Sequence, residues 1–186
     1  MRAASHPAPP MDDPDWLPRI DRAAPRGPEE LMALALEVAL ASARHGGGPF
    51  GALVADADGR VLAVGWNAVL ALRDSTAHAE IVALRRAQQE RGSHHLAGCT
   101  LYTSCAPCIQ CYGAIYWSGL ARVCSAARKE DAEAIGFDEG PPMDGLWAHA
   151  RAAKGIEHVR DFLRGERALL PLRTYAERGG VNYSRE

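Results

Sequence analysis

Two short stretches hold the residues most able to do chemistry together: His78-Ala79-Glu80 and Pro107-Cys108-Ile109-Gln110-Cys111. Cysteines three apart at the start of a helix lie on one face, so both thiolates can grip one ion. A helix N-terminus carries partial positive charge and unpaired N–H groups, which favour thiolate. Pro107 suits the first helical position, where its missing N–H has no helical partner to lose. Two sulfurs and one imidazole nitrogen suit Zn²⁺. Three protein ligands, His78, Cys108 and Cys111, leave a fourth tetrahedral position open for water, which marks a catalytic site. Glu80 lies two residues from His78 and would not share its face in mid-helix. At a helix start, side chains lean back over the N-terminal end, so an ion off that end can be touched by His78 while Glu80 reaches its water. This expectation requires two helix N-termini to converge on one metal.

Two other readings compete. A lone Cys-x-x-Cys in an α/β protein can be a thiol–disulfide redox pair, which leaves His78-Ala79-Glu80 unexplained. A structural zinc site would need a fourth ligand, and Cys105 would be that residue; the chain would then be a non-catalytic zinc module.

The elements that must position these residues are legible along the chain. Residues 1–27 hold six prolines and few apolar residues and read as an irregular, partly disordered arm. From Pro28, Leu31, Leu34, Ala35 and Val38 recur at helical spacing until His45-Gly46-Gly47-Gly48. Ala52 to Ala55 and Arg60 to Val64 flank Asp56-Ala57-Asp58-Gly59 and predict a hairpin. Ser75 or Thr76 can cap a helix reaching about Glu90. Thr100 to Ser104 predicts a strand, Pro107 to about Gly119 a helix, and Ala121 to Ala126 another strand, a parallel right-handed crossover. Helices around 131–135, 146–153 and 167–178 and a strand near 156–159 complete one α/β domain over residues 28–186.

The 186 residues carry 21 Lys and Arg against 23 Asp and Glu, a formal net charge of −2. That balance argues against nucleic acid as a partner. No stretch approaches membrane-spanning length and no signal-peptide pattern opens the chain. The cysteine count is odd, at 99, 105, 108, 111 and 124. With three of the five clustered, the reading is reduced thiols and a cytoplasmic protein.

A His-x-Glu followed by Pro-Cys-x-x-Cys resembles the signature of the zinc nucleobase deaminases. Around it, Gly48-Pro49-Phe50-Gly51, Asn67, Gly113-Ala114-Ile115-Tyr116-Trp117 and Glu133-Ala134-Ile135-Gly136-Phe137-Asp138-Glu139 make the sequence similar to the cytidine-deaminase-like superfamily. More narrowly it resembles the bacterial guanine deaminases, including those that accept aminotriazines such as ammeline. The resemblance implies a three-layer α/β/α fold with a central mixed sheet, a Zn²⁺ cofactor and a homodimer. It implies hydrolysis of an amino-substituted nucleobase, guanine to xanthine and ammonia. Other small substrates (ammeline, cytosine, guanosine, a pterin) and a tRNA adenosine remain alternatives.

By the same resemblance Glu80 is the proton shuttle. Phe50, Asn67, Ala79 (through its backbone) and Trp117 line the base pocket, Glu139 is a second carboxylate that helps ammonia leave, and Tyr183 belongs to a C-terminal segment closing the pocket. Each has an ordinary alternative. Phe50 and Trp117 could be core aromatics, Asn67 a turn residue, Glu139 a solvated loop charge and Tyr183 part of a loose terminus. The family has Glu before Pro-Cys where this chain has Ala106, which changes the pocket's polarity and leaves the ligands intact.

Overall fold

A computed structural model describes residues 12–183. Helix α1 (Pro28–Arg44) buries Leu31, Met32, Ala35, Leu36, Val38 and Ala39 along one stripe. Its start is set as the sequence suggests: Pro28 occupies the first turn, and the Gly27 N–H donates to Glu30 Oε2 at 3.0 Å. Strands β1 (Gly51–Ala55) and β2 (Val61–Trp66) form the expected antiparallel hairpin. Its turn is closed by Asp56, whose Oδ1 accepts from the N–H groups of Asp58 and Arg60, both at 2.9 Å.

Beyond the hairpin come α2 (Val69–Leu72), α3 (Ala79–Arg91), β3 (Thr100–Cys105), α4 (Ile109–Ser118), β4 (Arg122–Ala127), α5 (Lys129–Glu133), α6 (Asp144–Lys154), β5 (Glu157–Val159) and α7 (Glu166–Glu177). The five strands make one sheet in the order β2-β1-β3-β4-β5. β1 is antiparallel to β2 and β3, whereas β3, β4 and β5 run parallel, so the sheet is mixed.

Alternation along the strands sends side chains to two cores. Leu53, Tyr102 and Cys124 pack with α1 and with Ala168 of α7. Ala52, Val54, Leu101 and Val123 pack on the other face with Leu84 of α3, Ile115 of α4 and Trp147 of α6. Helices therefore cover both faces, in three layers. Each fully buried Leu, Ile, Val or Met contributes roughly 1.5–3 kcal/mol relative to exposure.

Two expectations are corrected. Neither Ser75 nor Thr76 caps α3; the N-cap is His78. Thr76 is instead tied back to Asp74, whose Oδ1 accepts from its N–H at 2.8 Å and its hydroxyl at 2.7 Å. Pro107 lies ahead of α4 rather than in its first turn, because Cys108 takes the extended backbone (φ −72°, ψ 176°) of the N-cap. The described part of the N-terminal segment, residues 12–27, has turns and no helix or strand, yet it is packed. Leu17 is buried, Trp16 stacks on His45 with centroids 5.4 Å apart, and Asp13 pairs with Arg22 at 2.7 Å and with Arg86. Pro7, Pro9 and Pro10 lie outside the described residues. Among the described residues no helix is long and apolar enough to cross a membrane.

Candidate active site

The two helix starts do converge. His78 and Cys108 are the N-caps of α3 and α4, and each carbonyl accepts the first helical bond, from Val82 N and Tyr112 N, both at 2.9 Å. Their extended backbones swing both side chains off the helix ends toward each other. Gly65 of β2 lets α3 approach, since a Cβ there would run into the backbone of Ala79 and Ala83. The start of α3 is thereby pressed onto the sheet beside the end of β3.

His78 Nδ1 lies 3.5 Å from Cys108 Sγ and 3.6 Å from Cys111 Sγ, and the two sulfurs are 3.7 Å apart. A tetrahedral Zn²⁺ with Zn–S about 2.3 Å and Zn–N about 2.0–2.1 Å requires roughly 3.5–3.6 Å between N and S and about 3.8 Å between sulfurs. The three atoms thus form one face of a zinc tetrahedron. Both cysteines are free thiols. Cys105 stays out of the cluster: its thiol points to Arg128 O at 3.4 Å and burial pushes its pKa well up. Three ligands, not four, meet here among the described residues.

Charge is distributed unevenly over the trio. Hydrogen bonding from Cys111, and then the neighbouring His78, outweigh burial and draw the Cys108 thiol down to about 4. The Cys111 thiol is pushed well up by its bond to Cys108 and by burial. Burial would lower His78, but the Cys108 thiolate beside it raises it. His78, Cys108 and Cys111 would hold a divalent cation, whose charge would favour both sulfurs as thiolates.

Glu80, in the first turn of α3, is buried at 6% exposure. Thr103 of β3 donates its hydroxyl to Glu80 Oε1 at 3.0 Å, and Oε2 lies 3.4 Å from Cys111 Sγ. Burial, then the Cys108 thiolate, raise this carboxyl. Above the trio opens a cleft of about 180 Å³ walled by Phe50, Asn67, Glu80, Phe137, Glu139 and Tyr183. Burial, then the Cys108 and Glu80 charges, push Glu139 up to about 8.

Residues 26–127 match the family described as the cytidine and deoxycytidylate deaminase zinc-binding region. The chain belongs to this deaminase family. It is 48% identical over 93 residues to a guanine deaminase of Bacillus subtilis (strain 168), a match covering 50% of this chain and 59% of that one. A tRNA-specific adenosine deaminase of Buchnera aphidicola is 38% identical over 100 residues, covering 54% and 66%. The chain thus spans less than two thirds of the length of either relative. The solved structure of a guanine deaminase from Nitrosomonas europaea matches with a TM-score of 0.80 and 38% identity over 95% of this chain and 98% of that one. A structure of NE0047 in complex with 2,6-diaminopurine matches with a TM-score of 0.79 and 40% identity, over 88% and 90%. The His-Cys-Cys set of this deaminase is accordingly a zinc set.

Of the residues singled out in the sequence, the deaminase fold gathers His78, Cys108, Cys111, Glu80, Phe50, Asn67, Glu139 and Tyr183 around one cleft. Tyr183 reaches the cleft of its own chain, where its hydroxyl and the Asn67 side chain are hydrogen-bonded. Gly48 makes room for this pair, as a Cβ there would strike both side chains. The Ala79 side chain packs in the sheet–helix core, while its backbone, the part the resemblance invokes, starts α3 between His78 and Glu80. One residue falls elsewhere. Trp117 is 71% exposed on α4, in a shallow groove with Ile81 and Leu84, because it follows the metal-facing turn of that helix by more than one turn. His94, His95 and His149 are exposed and Cys99 and Cys124 buried, as expected. Sequence reasoning missed Thr103 as partner of Glu80 and Phe137 as a cleft wall. Phe137 meets Phe50 edge-on at 5.1 Å. Thr103 carried no local signal, because Glu80 lies 23 residues away in sequence.

Proposed function

We propose that this deaminase hydrolyses guanine to xanthine and ammonia. The observation that carries the reading is the cleft itself: a pocket sized for one flat ring system, with aromatic walls, one amide and three carboxylates (Glu80, Asp138 and Glu139) beside a three-ligand zinc set. The structural likeness to guanine deaminase supports the same substrate.

When bound, Zn²⁺ supplies a nucleophilic water at neutral pH by drawing its pKa from 15.7 toward about 7. The protein does the rest. Phe50 and Phe137, in edge-on contact with each other, wall the cleft on the ring's side, and Asn67, 3% exposed, offers an amide that can both donate and accept. Glu80, gripped through Oε1 by Thr103, takes the water's proton and delivers it to the ring nitrogen beside C2. Glu139 faces the same cleft and protonates the departing amine. One water is consumed, the C2–N bond breaks, a C2–O bond forms and ammonia leaves. Tyr183 closes the cleft against solvent.

The protein acts as a homodimer: exposed Trp117 and Ile109 on α4 are apolar surface that a second copy would cover. It works in a reducing compartment such as the cytoplasm, since the zinc site needs both thiols free.

Ammonia release from guanine, ammeline, cytosine, adenine, a pterin and an adenosine-bearing tRNA anticodon stem-loop tests the substrate. Guanine is expected to lead. Inert guanine with turnover of cytosine or of the stem-loop would keep the chemistry and remove guanine as its substrate.

A further inference from the structure

We infer that Trp16, in the segment ahead of α1, is a positioning residue for the substrate cleft: it backs the two pieces of chain that seat Asn67 and Tyr183. The inference rests on the reading of that cleft as the guanine site. A turn presents the ring: Leu17 N–H donates to Pro14 O at 2.9 Å, and Leu17 itself is buried. The segment is then tied along the β1-β2 hairpin, where Val61 N–H donates to Arg22 O and Arg26 N–H to Gly59 O, both at 3.1 Å. Gly59 permits that contact, since its φ is +79° and a Cβ there would strike Arg26 O. A second tie crosses to α3. Arg86 pairs with Asp13, donates to Val64 O at 2.8 Å and lies over the Trp66 ring at 5.2 Å.

Held in this way, Trp16 stacks on His45 with centroids 5.4 Å apart and 9° between the planes, and meets Trp66 edge-on at 5.7 Å. His45 is the C-cap of α1 and leads into Gly46-Gly47-Gly48; Trp66 ends β2 and is followed by Asn67. The two pieces meet at the cleft wall. A Cβ on Gly47 would lie 3.0 Å from Asn67 O, and one on Gly48 would strike the Asn67 side chain and the Tyr183 hydroxyl. Ser42 Oγ donates to Gly48 O at 2.8 Å, and Asn67 N–H donates to Phe50 O at 3.1 Å. Packing this close transmits a displacement rather than absorbing it. Removing the indole leaves a void against both pieces, which relax toward it. That relaxation moves Asn67 in the cleft wall and loosens its bond to the Tyr183 hydroxyl. A misplacement of about 1 Å can cost about 10²-fold in rate. His78, Cys108, Cys111 and Glu80 belong to the starts of α3 and α4, which neither piece includes, so KM moves more than kcat.

The test compares Trp16→Ala and Trp16→Phe with the wild type, at equal zinc content, in guanine deamination and in limited trypsin digestion without substrate. Trp16→Ala should raise KM for guanine about tenfold while kcat changes less than about threefold, and Trp16→Phe, which keeps a flat ring against His45, should restore most of the loss. Tyr183→Phe should cost several-fold in kcat/KM in the wild type and less than about twofold in Trp16→Ala, because the bond it removes is already loosened. In the digest, cleavage after Arg178, exposed at the end of α7, should be several-fold faster in Trp16→Ala, whose Tyr183 segment is held less tightly. Should Trp16→Ala fail to fold, Trp16→Leu replaces it in every comparison. In a folded variant an unchanged KM, an unchanged cleavage rate or additive effects of the Trp16 and Tyr183 changes would each overturn the inference. Inert guanine in the wild type would remove the guanine reading instead, and cleavage after Arg178 would then decide on Trp16 alone.

Discussion

Thr103 Oγ1 donates to Glu80 Oε1 at 3.0 Å, joining the end of β3 to the first turn of α3. The bond fixes the plane of the buried carboxylate and leaves Oε2 on the metal side, accepting from the Cys111 thiol at 3.4 Å. Because the partner of Oε2 is itself one of the three metal-site groups, this oxygen is held at the edge of the metal site, where a carboxylate can take a proton from a bound water.

Glu80→Gln should therefore bind one zinc per chain and remain folded while kcat falls about 10²–10⁴-fold or more, the usual worth of general acid–base catalysis. Thr103→Val should cause a smaller loss, because it frees the carboxylate to turn without removing it. Metal analysis alongside ammonia-release kinetics decides the point. Turnover near wild type in fully loaded Glu80→Gln would remove Glu80 from proton transfer.

Cys111→Ser should lose most of its zinc and its activity. The hydroxyl is a poor substitute for a thiolate, and two remaining ligands do not hold the ion. In the wild type a chelator should abolish activity and added Zn²⁺ restore it. A Cys111→Ser protein that is loaded and active would exclude Cys111 as a ligand.

Much of this site could be read from the chain because its chemistry is local. His78 and Glu80 are two residues apart, Cys108 and Cys111 three, and each pair sits at a helix start that the surrounding residues announce. The α1 stripe, the hairpin and the β3-α4-β4 crossover were equally legible from periodicity and turn residues. What failed depended on cap geometry or distance. The choice of His78 over Thr76 as N-cap is made by Asp74, which captures the Thr76 amide and hydroxyl. The direction in which Trp117 points is a matter of helix phase over more than a turn, and here that phase carries it to the surface. The partnership of Thr103 with Glu80 joins residues 23 apart in sequence and exists only because the sheet brings β3 beneath α3.

Tyr183→Phe should lower kcat/KM several-fold with little change in stability, since it removes the hydroxyl paired with Asn67 and keeps the ring against Phe137, 5.2 Å away. A neutral hydrogen bond contributes about 0.5–1.5 kcal/mol, which sets that scale. Deleting residues 180–186 should cost more activity, mostly through KM. Thermal unfolding and kinetics of both proteins provide the check; an unaffected truncation would remove the C-terminal segment from the cleft.

His158 gives stability a pH dependence of its own. Burial, with Arg160 adding to it and Asp144 opposing, holds the imidazole down to about 4 against 6.5 for the free side chain. The folded protein keeps this ring neutral while the unfolded chain protonates it. Unfolding therefore takes up a proton between those two values, and the stability present above pH 6.5 is lost as pH falls toward 4. For a largely buried ring the loss is on the order of 2–3 kcal/mol, at about 1.4 kcal/mol per pH unit of difference. His158→Gln can still reach Ser125 and has nothing to titrate, so its stability should fall less over the same window. Urea unfolding midpoints of both metal-free proteins at pH 7.5, 5.5 and 4.5 measure the difference, which cancels the carboxylates common to both. Equal slopes in the two proteins would show that His158 is not kept neutral by the fold.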